Sequence, residues 1–322
     1  MAPIDEMLLR ACPATALPVL KILAGPGPAV PGLSYPAGTV WRVLTADVLA
    51  RGPGFSVSAV ACADEHPHWS QAETRAGYGL VLVGRGWFRR RAGGVAATVD
   101  PTVGYLCLPG EQESFAHPAG GDLCTYVELS ADLWRQMAGD RARPARTAVH
   151  VDARLELAHR RMLAAASGDA GHGLAGELLA LVAAAVRRTV AGPAPIRDTG
   201  GGSAPGRRKD AAMASAAREA IVAGHPAAEG LFPLAELLEV SPYRLSRAFS
   251  REAGMSLTHY RNRVRVSRAL ERLAAGERSL AMLAADLGFS DQAHLTRTVR
   301  AHAGHTPAAL RRLLKEKPAA IS

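Results

Sequence analysis

Cysteine is scarce in this sequence, which has four cysteines among 322 residues and no Cys-x-x-Cys motif. Their spacing gives no sign of a disulfide framework. Long apolar runs are also missing, since no stretch reaches the ~20 residues that a membrane span requires. Near the N-terminus, Asp5, Glu6 and two prolines interrupt the apolar residues, which is unlike a signal peptide. We therefore expect a cytoplasmic chain with reduced thiols and no contact with a membrane.

Acidic residues are outnumbered in the last third of the chain. Residues 203–322 contain 19 Lys and Arg against 11 Asp and Glu, a net charge of +8. Residues 1–202 contain 19 and 18, a net charge of +1. A basic part joined to a neutral part is typical of a nucleic-acid-binding domain attached to another domain. A solvated basic surface would give the same count.

Glycine, proline and apolar spacing divide the chain into segments. Residues 1–35 are rich in Ala and Pro and are predicted to be an irregular arm. Residues 36–190 are predicted as one domain, with short apolar runs first and helical spacing from residue 152 onward. Residues 191–209 have the composition of a linker, and residues 210–316 are predicted to be a helical domain.

The short apolar runs of the first domain predict a β-sandwich or barrel, because turn residues separate them. The predicted strands are 40–48, 55–61, 78–83, 87–91, 95–99, 104–108 and 123–129. The predicted fold class is therefore multidomain α+β, with an all-β barrel and accompanying helices followed by an all-α domain.

Two C-terminal segments, 234–254 and 283–304, resemble each other, and each reads as helix, tight turn, helix. In the first copy Ser241 is predicted to cap the second helix, and Pro242 fits its first turn, where no N–H is needed. Gly254 is a suitable end for that helix.

In the second copy Gly288 supplies the turn, Ser290 is predicted as the cap and Gly304 as the end of the helix. The first copy has Glu239 where the second has Gly288. The first turn is therefore predicted to carry backbone strain.

The outer faces of the two second helices carry side chains that can contact bases and phosphates. They are Tyr243, Ser246, Arg247 and Ser250 in the first copy, and Gln292, Ala293, His294, Thr296, Arg297 and Arg300 in the second. Arg can pair with guanine, Gln with adenine, and Ala or Thr can contact a thymine methyl group. The alternative is that each helix has an ordinary solvated face. The presence of two such faces in a basic domain argues against that alternative.

The segment between the copies, 256–275, is predicted to form a helix about 30 Å long at ~1.5 Å per residue. One turn of B-DNA measures ~34 Å, so such a connector would place two reading helices in successive major grooves. Arg261, Arg263, Arg265 and Arg268 would add positive charge along it.

These features resemble the DNA-binding domain of the AraC/XylS transcription regulators over about residues 213–314. The family's Gly-Phe-Ser turn is present at 288–290, its reading-helix Arg at Arg297, and its Gly-x-Thr-Pro ending at 304–307. Val299 stands where the family usually has Phe, and Leu310 where it usually has an aromatic residue. Both differences predict a smaller local core.

The resemblance implies base contacts from Tyr243, Ser246, Arg247, Gln292, Ala293, His294 and Arg297. It also implies a transcription regulator, here taken to be an activator, whose partners are double-stranded promoter DNA and RNA polymerase. The family further implies an unidentified small-molecule effector and a homodimer. No cofactor is required for this activity.

The N-terminal domain resembles the cupin-like sensor domain that such regulators often carry, on the strength of residues 77–91 and a Pro-Gly turn at 109–110. Cupins bind metals through His and carboxylate ligands, so His66, His68 and His117 are candidate ligands for Fe, Mn, Ni or Zn. Glu73 is displaced from the usual carboxylate position. Cys62 and Cys124 could instead join His ligands in a zinc or redox site.

Two other functions are compatible with parts of the sequence. A cupin-type metal enzyme fused to a DNA-binding module would use the same histidines, and a DNA-repair protein would use a reactive cysteine. Neither accounts for the basic repeat as simply as a regulator does. The Leu/Ala stripe in 152–190 predicts either helices that pair two subunits or a face packed on the barrel.

Overall fold

The computed structural model describes residues 44–62, 67–119, 121–139, 144, 147–165, 171–191 and 204–315. The predicted arm, 1–35, lies outside these residues. So do residues 192–203, which form most of the predicted linker.

The N-terminal domain contains two antiparallel sheets. Their strands are β1 (Leu44–Gly52), β2 (Phe55–Cys62), β3 (Glu73–Thr74), β4 (Tyr78–Arg85), β5 (Phe88–Ala92), β6 (Val95–Val99), β7 (Val103–Cys107), β8 (Gln112–Ala116), β9 (Asp122–Leu129) and β10 (Ala148–His150). The larger sheet has the order β1-β2-β9-β4-β7-β10, and the smaller has the order β3-β8-β5-β6.

Strand β4 shows why the larger sheet lies at the centre of this domain, because both of its faces are buried. Leu80 and Leu82 point to one face, where they pack against helices. Val81 and Val83 point to the other, where they meet Phe88 and residues of the smaller sheet. Alternate side chains of a strand point to opposite faces of the sheet. A continuous apolar run such as β4 therefore has side chains buried on both faces.

The predicted strands are confirmed in position, although the first begins at Leu44 among the described residues and not at residue 40. Strands β3, β8 and β10 were not predicted. The sheets face each other as a sandwich, and the pairings among the described residues do not close them into a single barrel. The sandwich alternative therefore describes this domain better than the barrel.

Three helices accompany the sheets: α1 (Ala131–Ala138), α2 (Ala153–Ala165) and α3 (Gly171–Ala191). Leu155, Met162, Leu178 and Val182 of α2 and α3 are fully buried against the larger sheet. The Leu/Ala stripe of residues 152–190 is therefore a face packed on the sheet, which is one of the two predicted alternatives.

The C-terminal domain is helical. Its helices are α4 (Ala204–Ala223), α5 (Leu231–Leu237), α6 (Pro242–Ala253), α7 (Leu257–Ala274), α8 (Leu280–Asp286), α9 (Gln292–Ala303) and α10 (Pro307–Lys315), with a 3-10 turn at Pro226–Glu229. Helix α4 begins at Ala204, within the predicted linker. Pro205 is compatible with this start because the first helical turn needs no N–H there.

Two apolar clusters stabilise this domain, one around each helix pair. The first joins α4, α5 and α6 to the beginning of α7. The second joins the end of α7 to α8, α9 and α10, and it also takes in Ala153 and Leu157 from α2. The N-terminal domain thus contributes to the core of the second helix pair.

Within the described part of the chain, no helix combines the length and the apolar character that crossing a membrane requires.

Candidate DNA-binding interface

Helices α5 and α6 form the first predicted helix-turn-helix unit, and its ends follow the sequence pattern. The side chain of Ser241 accepts a hydrogen bond from the Arg244 amide at 3.3 Å. Pro242 occupies the first turn of α6, and Gly254 ends the helix in the left-handed conformation with φ of 70°. These contacts confirm the predicted cap and the predicted end.

The two turns differ as the sequence predicts. Glu239 has φ of 54°, and it is the single non-glycine residue with positive φ in the described ranges. Gly288 has φ of 70° at the corresponding turn. A Cβ atom on Gly288 would lie 2.9 Å from Nη2 of Arg265, the end of a flexible side chain that can shift, so the left-handed backbone conformation is the main reason for glycine there.

The second unit, α8 and α9, corrects one prediction by a single residue. The cap of α9 is Asp291, whose Oδ1 accepts a hydrogen bond from the His294 amide at 2.6 Å. Ser290 instead places its hydroxyl 3.1 Å from Nδ1 of His294. The imidazole also lies edge-on against Phe289. An Asp accepts this bond as well as Ser does, and its charge suits the helix N-terminus.

The predicted base-contacting residues lie on the open faces of α6 and α9. Leu245, Phe249, Leu295 and Val299 point inward and are fully buried. The exposed residues are Tyr243, Arg247, Ser250, Gln292, Ala293, Arg297 and Arg300, and the half-exposed ones are Ser246, His294 and Thr296. Each second helix therefore has one face in the core and one available to a partner.

Arg247 and Tyr243 form a pair on the outer face of α6. The guanidinium of Arg247 donates a hydrogen bond to the Tyr243 hydroxyl at 2.6 Å. Tyr243 remains 70% exposed. This contact holds the Arg247 side chain along the helix, so a base contact from Arg247 would require the side chain to move or Tyr243 to move with it.

The connector α7 is 18 residues long, which corresponds to about 27 Å. Its arginines do not present the positive charge along the helix that the sequence predicts. Arg263 is buried, and Arg261 donates to the Ala228 carbonyl at 2.6 Å. Arg265 pairs with Glu229, and Arg268 donates to two carbonyls at the end of α4. These side chains fix α7 in place and leave little charge for a partner.

Asp100, in the turn between β6 and β7, links the two domains. Its carboxylate accepts hydrogen bonds from Arg218 of α4 and from the Tyr260 hydroxyl of α7, both at 2.7 Å. The other carboxylate oxygen accepts from the amide and the hydroxyl of Thr102. Asp100 is fully buried, so this charge depends on those partners.

Glu156 of α2 forms a second buried link. It accepts hydrogen bonds from Arg263 at 2.6 Å, from Ser267 at 2.7 Å and from Arg160 at 2.8 Å. Burial alone would raise the pKa of Glu156, but Arg263 and Arg160 outweigh it and lower the pKa. The carboxylate is therefore ionised and paired across the interface.

A third contact joins β5 to α4. Arg89 donates two hydrogen bonds to Glu219, at 2.9 and 2.5 Å. Thr98 of β6 lies 3.1 Å from the hydroxyl of Ser215. The N-terminal domain thus holds the helical domain through polar contacts to α4 and α7.

Two of the three histidines predicted to bind metal, His68 and His117, lie in the described part of the chain, and they do not belong to one group of potential ligands there. His66 lies outside the described residues, and His68 and Glu73 are exposed. His117 is buried, and Nδ1 of its ring contacts the Asp122 carboxylate. The group with metal-binding geometry in the described ranges is Cys62, His117 and Asp122.

Two buried thiols of this domain, Cys107 and Cys124, are poor nucleophiles. Burial raises the pKa of Cys107 to about 12. It also raises the pKa of Cys124 well above its ordinary value, and the neighbouring Asp122 adds to the effect. Thiolate is the reactive form, so neither residue suits the cysteine chemistry of a repair protein. Cys12 lies outside the described residues.

Comparison with known proteins identifies the C-terminal domain. Residues 234–313, which include both helix pairs, match the model of the helix-turn-helix domain family. A comparison with curated proteins finds no match. The chain is similar to the C-terminal domain of AraT, a response regulator from Geobacillus stearothermophilus, with 29% identity over 31% of this chain and 84% of that one and a TM-score of 0.29.

Two further structures are similar at lower identity. One is unsaturated-fatty-acid-bound ToxT from Vibrio cholerae, with 11% identity over 83% of this chain and 98% of that one and a TM-score of 0.33. The other is an AraC-type transcriptional regulator from Chromobacterium violaceum, with 24% identity over 33% and 94% and a TM-score of 0.30.

The double helix-turn-helix domain defines a DNA-binding protein. The match over residues 234–313 confirms the helix-turn-helix domain that the sequence predicts. The protein is a DNA-binding transcription regulator.

Proposed function

We propose that this regulator reads promoter DNA with both α6 and α9 and responds to a signal received by its N-terminal domain. The signal is a small molecule or a metal ion. The contact residues are those of the two open faces: Tyr243, Ser246, Arg247, Gln292, Ala293, His294, Thr296, Arg297 and Arg300. Their exposure beside buried Leu245 and Leu295 supports this assignment.

The two helices contribute unequally. Arg297 is exposed on α9, which follows a relaxed glycine turn, and it is our candidate for direct recognition of guanine. Arg247 must first leave Tyr243. Arg300 lies further from the start of α9 and is assigned to the phosphate backbone. His294, already bonded at the turn, positions the start of α9 and contributes less to base recognition.

One observation carries the signal-response part of the proposal. Two buried carboxylates of the N-terminal domain, Asp100 and Glu156, pair with arginines of the DNA-binding domain. Both partners, Arg218 and Arg263, lie on the helices that support the two reading units. A ligand that moves β6, β7 or α2 would change these pairs and thereby the relative placement of α6 and α9.

The same proposal places promoter DNA and RNA polymerase among the partners, with activation as the outcome and a homodimer as the active form. Catalysis is not part of it. The cupin-type enzyme alternative needs a cluster of His66, His68, His117 and a carboxylate, and the exposed positions of His68 and Glu73 do not favour that cluster.

Genome-wide mapping of bound DNA tests this function. The wild-type protein should bind promoter-proximal sites that share two short motifs about one helical turn apart. Arg297→Ala should relax the preference at one base position of one motif, while Arg312→Ala, a change at an exposed arginine of α10, should leave both motifs unchanged. Uniform binding without a motif by the wild type would contradict sequence-specific regulation.

A further inference from the structure

A cluster of metal-ligating side chains lies at one end of the sandwich, apart from the DNA-binding face. Cys62 ends β2 and is paired across the sheet with Asp122, the first residue of β9. His117 follows β8 in the smaller sheet. All three are buried, and one ligand atom from each lies within 4.8 Å of the other two.

The surroundings hold these side chains in place. The ring of Phe88 stacks on His117 with 5.2 Å between centroids. Cys124 donates a hydrogen bond to Oδ2 of Asp122 at 2.9 Å, which orients the carboxylate. A Cβ atom on Gly86 would lie 3.1 Å from Cβ of Asp122, so glycine leaves room for that residue. Support of this kind around potential ligands is typical of protein metal sites.

We propose that Cys62, His117 and Asp122 bind a divalent metal ion of the zinc type. Thiolate, imidazole and carboxylate together are a donor set that zinc accepts. Two anionic ligands balance a divalent charge, which makes the bound site neutral in a buried environment. Ligands at ~2.0–2.3 Å from a tetrahedral zinc lie ~3.3–3.8 Å apart, so the more distant ligand atoms move together by about 1.5 Å at most. His117 and Asp122, which are in direct contact, move apart to admit the ion.

The metal takes the place of the proton between Nδ1 of His117 and Oδ1 of Asp122. Three protein ligands leave a fourth coordination position for water or for an incoming ligand. The site shares His117 with the histidine set predicted from the sequence, but it replaces His66 and His68 by Cys62 and Asp122. It stands on the geometry of the sandwich and does not depend on the regulatory function proposed above.

The test uses the full-length protein, stripped of metal with a chelator and then titrated with Zn²⁺ and with Co²⁺. Bound metal is counted by mass spectrometry, and the near-ultraviolet absorption of cobalt reports a thiolate ligand. The variants are Cys62→Ser, His117→Gln and Asp122→Asn. The controls are Cys107→Ala, another buried thiol of the domain, and His68→Gln.

The wild type and both controls should bind one metal ion per chain and show the thiolate-to-cobalt band. Cys62→Ser should lose the band, and His117→Gln and Asp122→Asn should weaken binding at least tenfold. Loss of metal in His68→Gln, or a thiolate band that persists in Cys62→Ser, would overturn the assignment. If Cys62→Ser does not fold, the wild-type spectrum still decides, because cobalt bound without a thiolate band excludes Cys62 as a ligand.

Discussion

The carboxylate of Asp100 accepts a hydrogen bond from the hydroxyl of Tyr260 at 2.7 Å, although 160 residues separate them in the chain. Asp100 belongs to a turn of the sandwich and Tyr260 to the helix that connects the two helix-turn-helix units. Burial raises the pKa of Tyr260, and the adjacent Asp100 adds to the effect. The phenol is therefore protonated and acts as a donor to Asp100.

Replacing Asp100 with Ala should destabilise the protein, because it leaves the Arg218 guanidinium buried without its carboxylate. The expected loss is about 3 kcal/mol of unfolding free energy. Urea denaturation followed by circular dichroism measures it. The matched control is Asp132→Ala, since Asp132 also pairs with an arginine but is 77% exposed. That change should cost less than about 1 kcal/mol. Equal losses in the two variants would contradict a special role for the buried pair.

The strained turn of the first unit predicts a stabilising substitution. Glu239→Gly removes a left-handed conformation that costs a non-glycine residue about 1–2 kcal/mol. Part of this gain is offset by the entropy of glycine in the unfolded chain. The net gain should be about 0.5 kcal/mol, measured by thermal unfolding.

The corresponding turn of the second unit predicts the opposite sign. Gly288→Ala should destabilise by about 1–3 kcal/mol, because the new Cβ meets Arg265 and φ is 70°. The account of the two turns fails if Glu239→Gly is the more damaging change.

His159 predicts a pH dependence of stability. Its Nε2 lies 2.5 Å from the Thr125 hydroxyl, and the ring is buried beside Arg160 and Glu156. Burial, with Arg160, lowers the pKa of His159 from 6.5 to about 3. The unfolded chain therefore binds a proton below about pH 6.5 that the folded chain does not, and stability falls as the pH drops toward 3.

Between pH 6.5 and pH 5 this histidine should lower the free energy of unfolding by about 2 kcal/mol. His159→Gln should remove that part of the pH dependence, and the difference between the two proteins isolates it from other titrating groups. Parallel curves for wild type and His159→Gln from pH 7 to pH 5 would show that the imidazole is not held neutral.

The shared interface predicts that the DNA-binding domain is less stable when it is separated from the N-terminal domain. A fragment of residues 204–322 lacks Glu156, the partner of buried Arg263, and it lacks Leu157 from the second apolar cluster. It should unfold at lower urea concentration than the same domain in the full chain, by about 3 kcal/mol. It should still bind DNA at low salt, because it keeps both α6 and α9, but more weakly than the full chain, because the pairs that set the relative placement of these helices are lost. Equal stability would show that the interface contributes little.

Short-range sequence patterns predicted the cap of α6 and both tight turns, whose geometry depends on neighbouring residues. The cap at Ser241 and the turn at Gly288 follow from backbone geometry, which neighbouring residues determine. Short apolar runs between turn residues predicted most strands of the larger sheet. Strand β8 was missed because it buries a charge, Glu113, which pairs with Arg90 and Arg75.

Long-range pairing explains what could not be predicted. Asp100 and Glu156 look like surface acids in the sequence, and only the tertiary structure supplies their arginines. Cys62 and Asp122 meet through strand register, which local residues do not determine. The linker composition predicts two domains, but it carries no information about the interface between them.

The most direct test of the account is a binding-site selection with wild-type protein, Arg247→Ala, Arg297→Ala and Arg300→Ala. Arg297→Ala should relax the preference at one base position and cost about 1–3 kcal/mol there. Arg247→Ala should relax a preference about one helical turn away with a smaller loss, because Arg247 is bonded to Tyr243. Arg300→Ala should weaken all sequences alike and reduce the slope of the salt dependence by about one. If neither Arg247→Ala nor Arg297→Ala changes the selected sequence, α6 and α9 do not read bases.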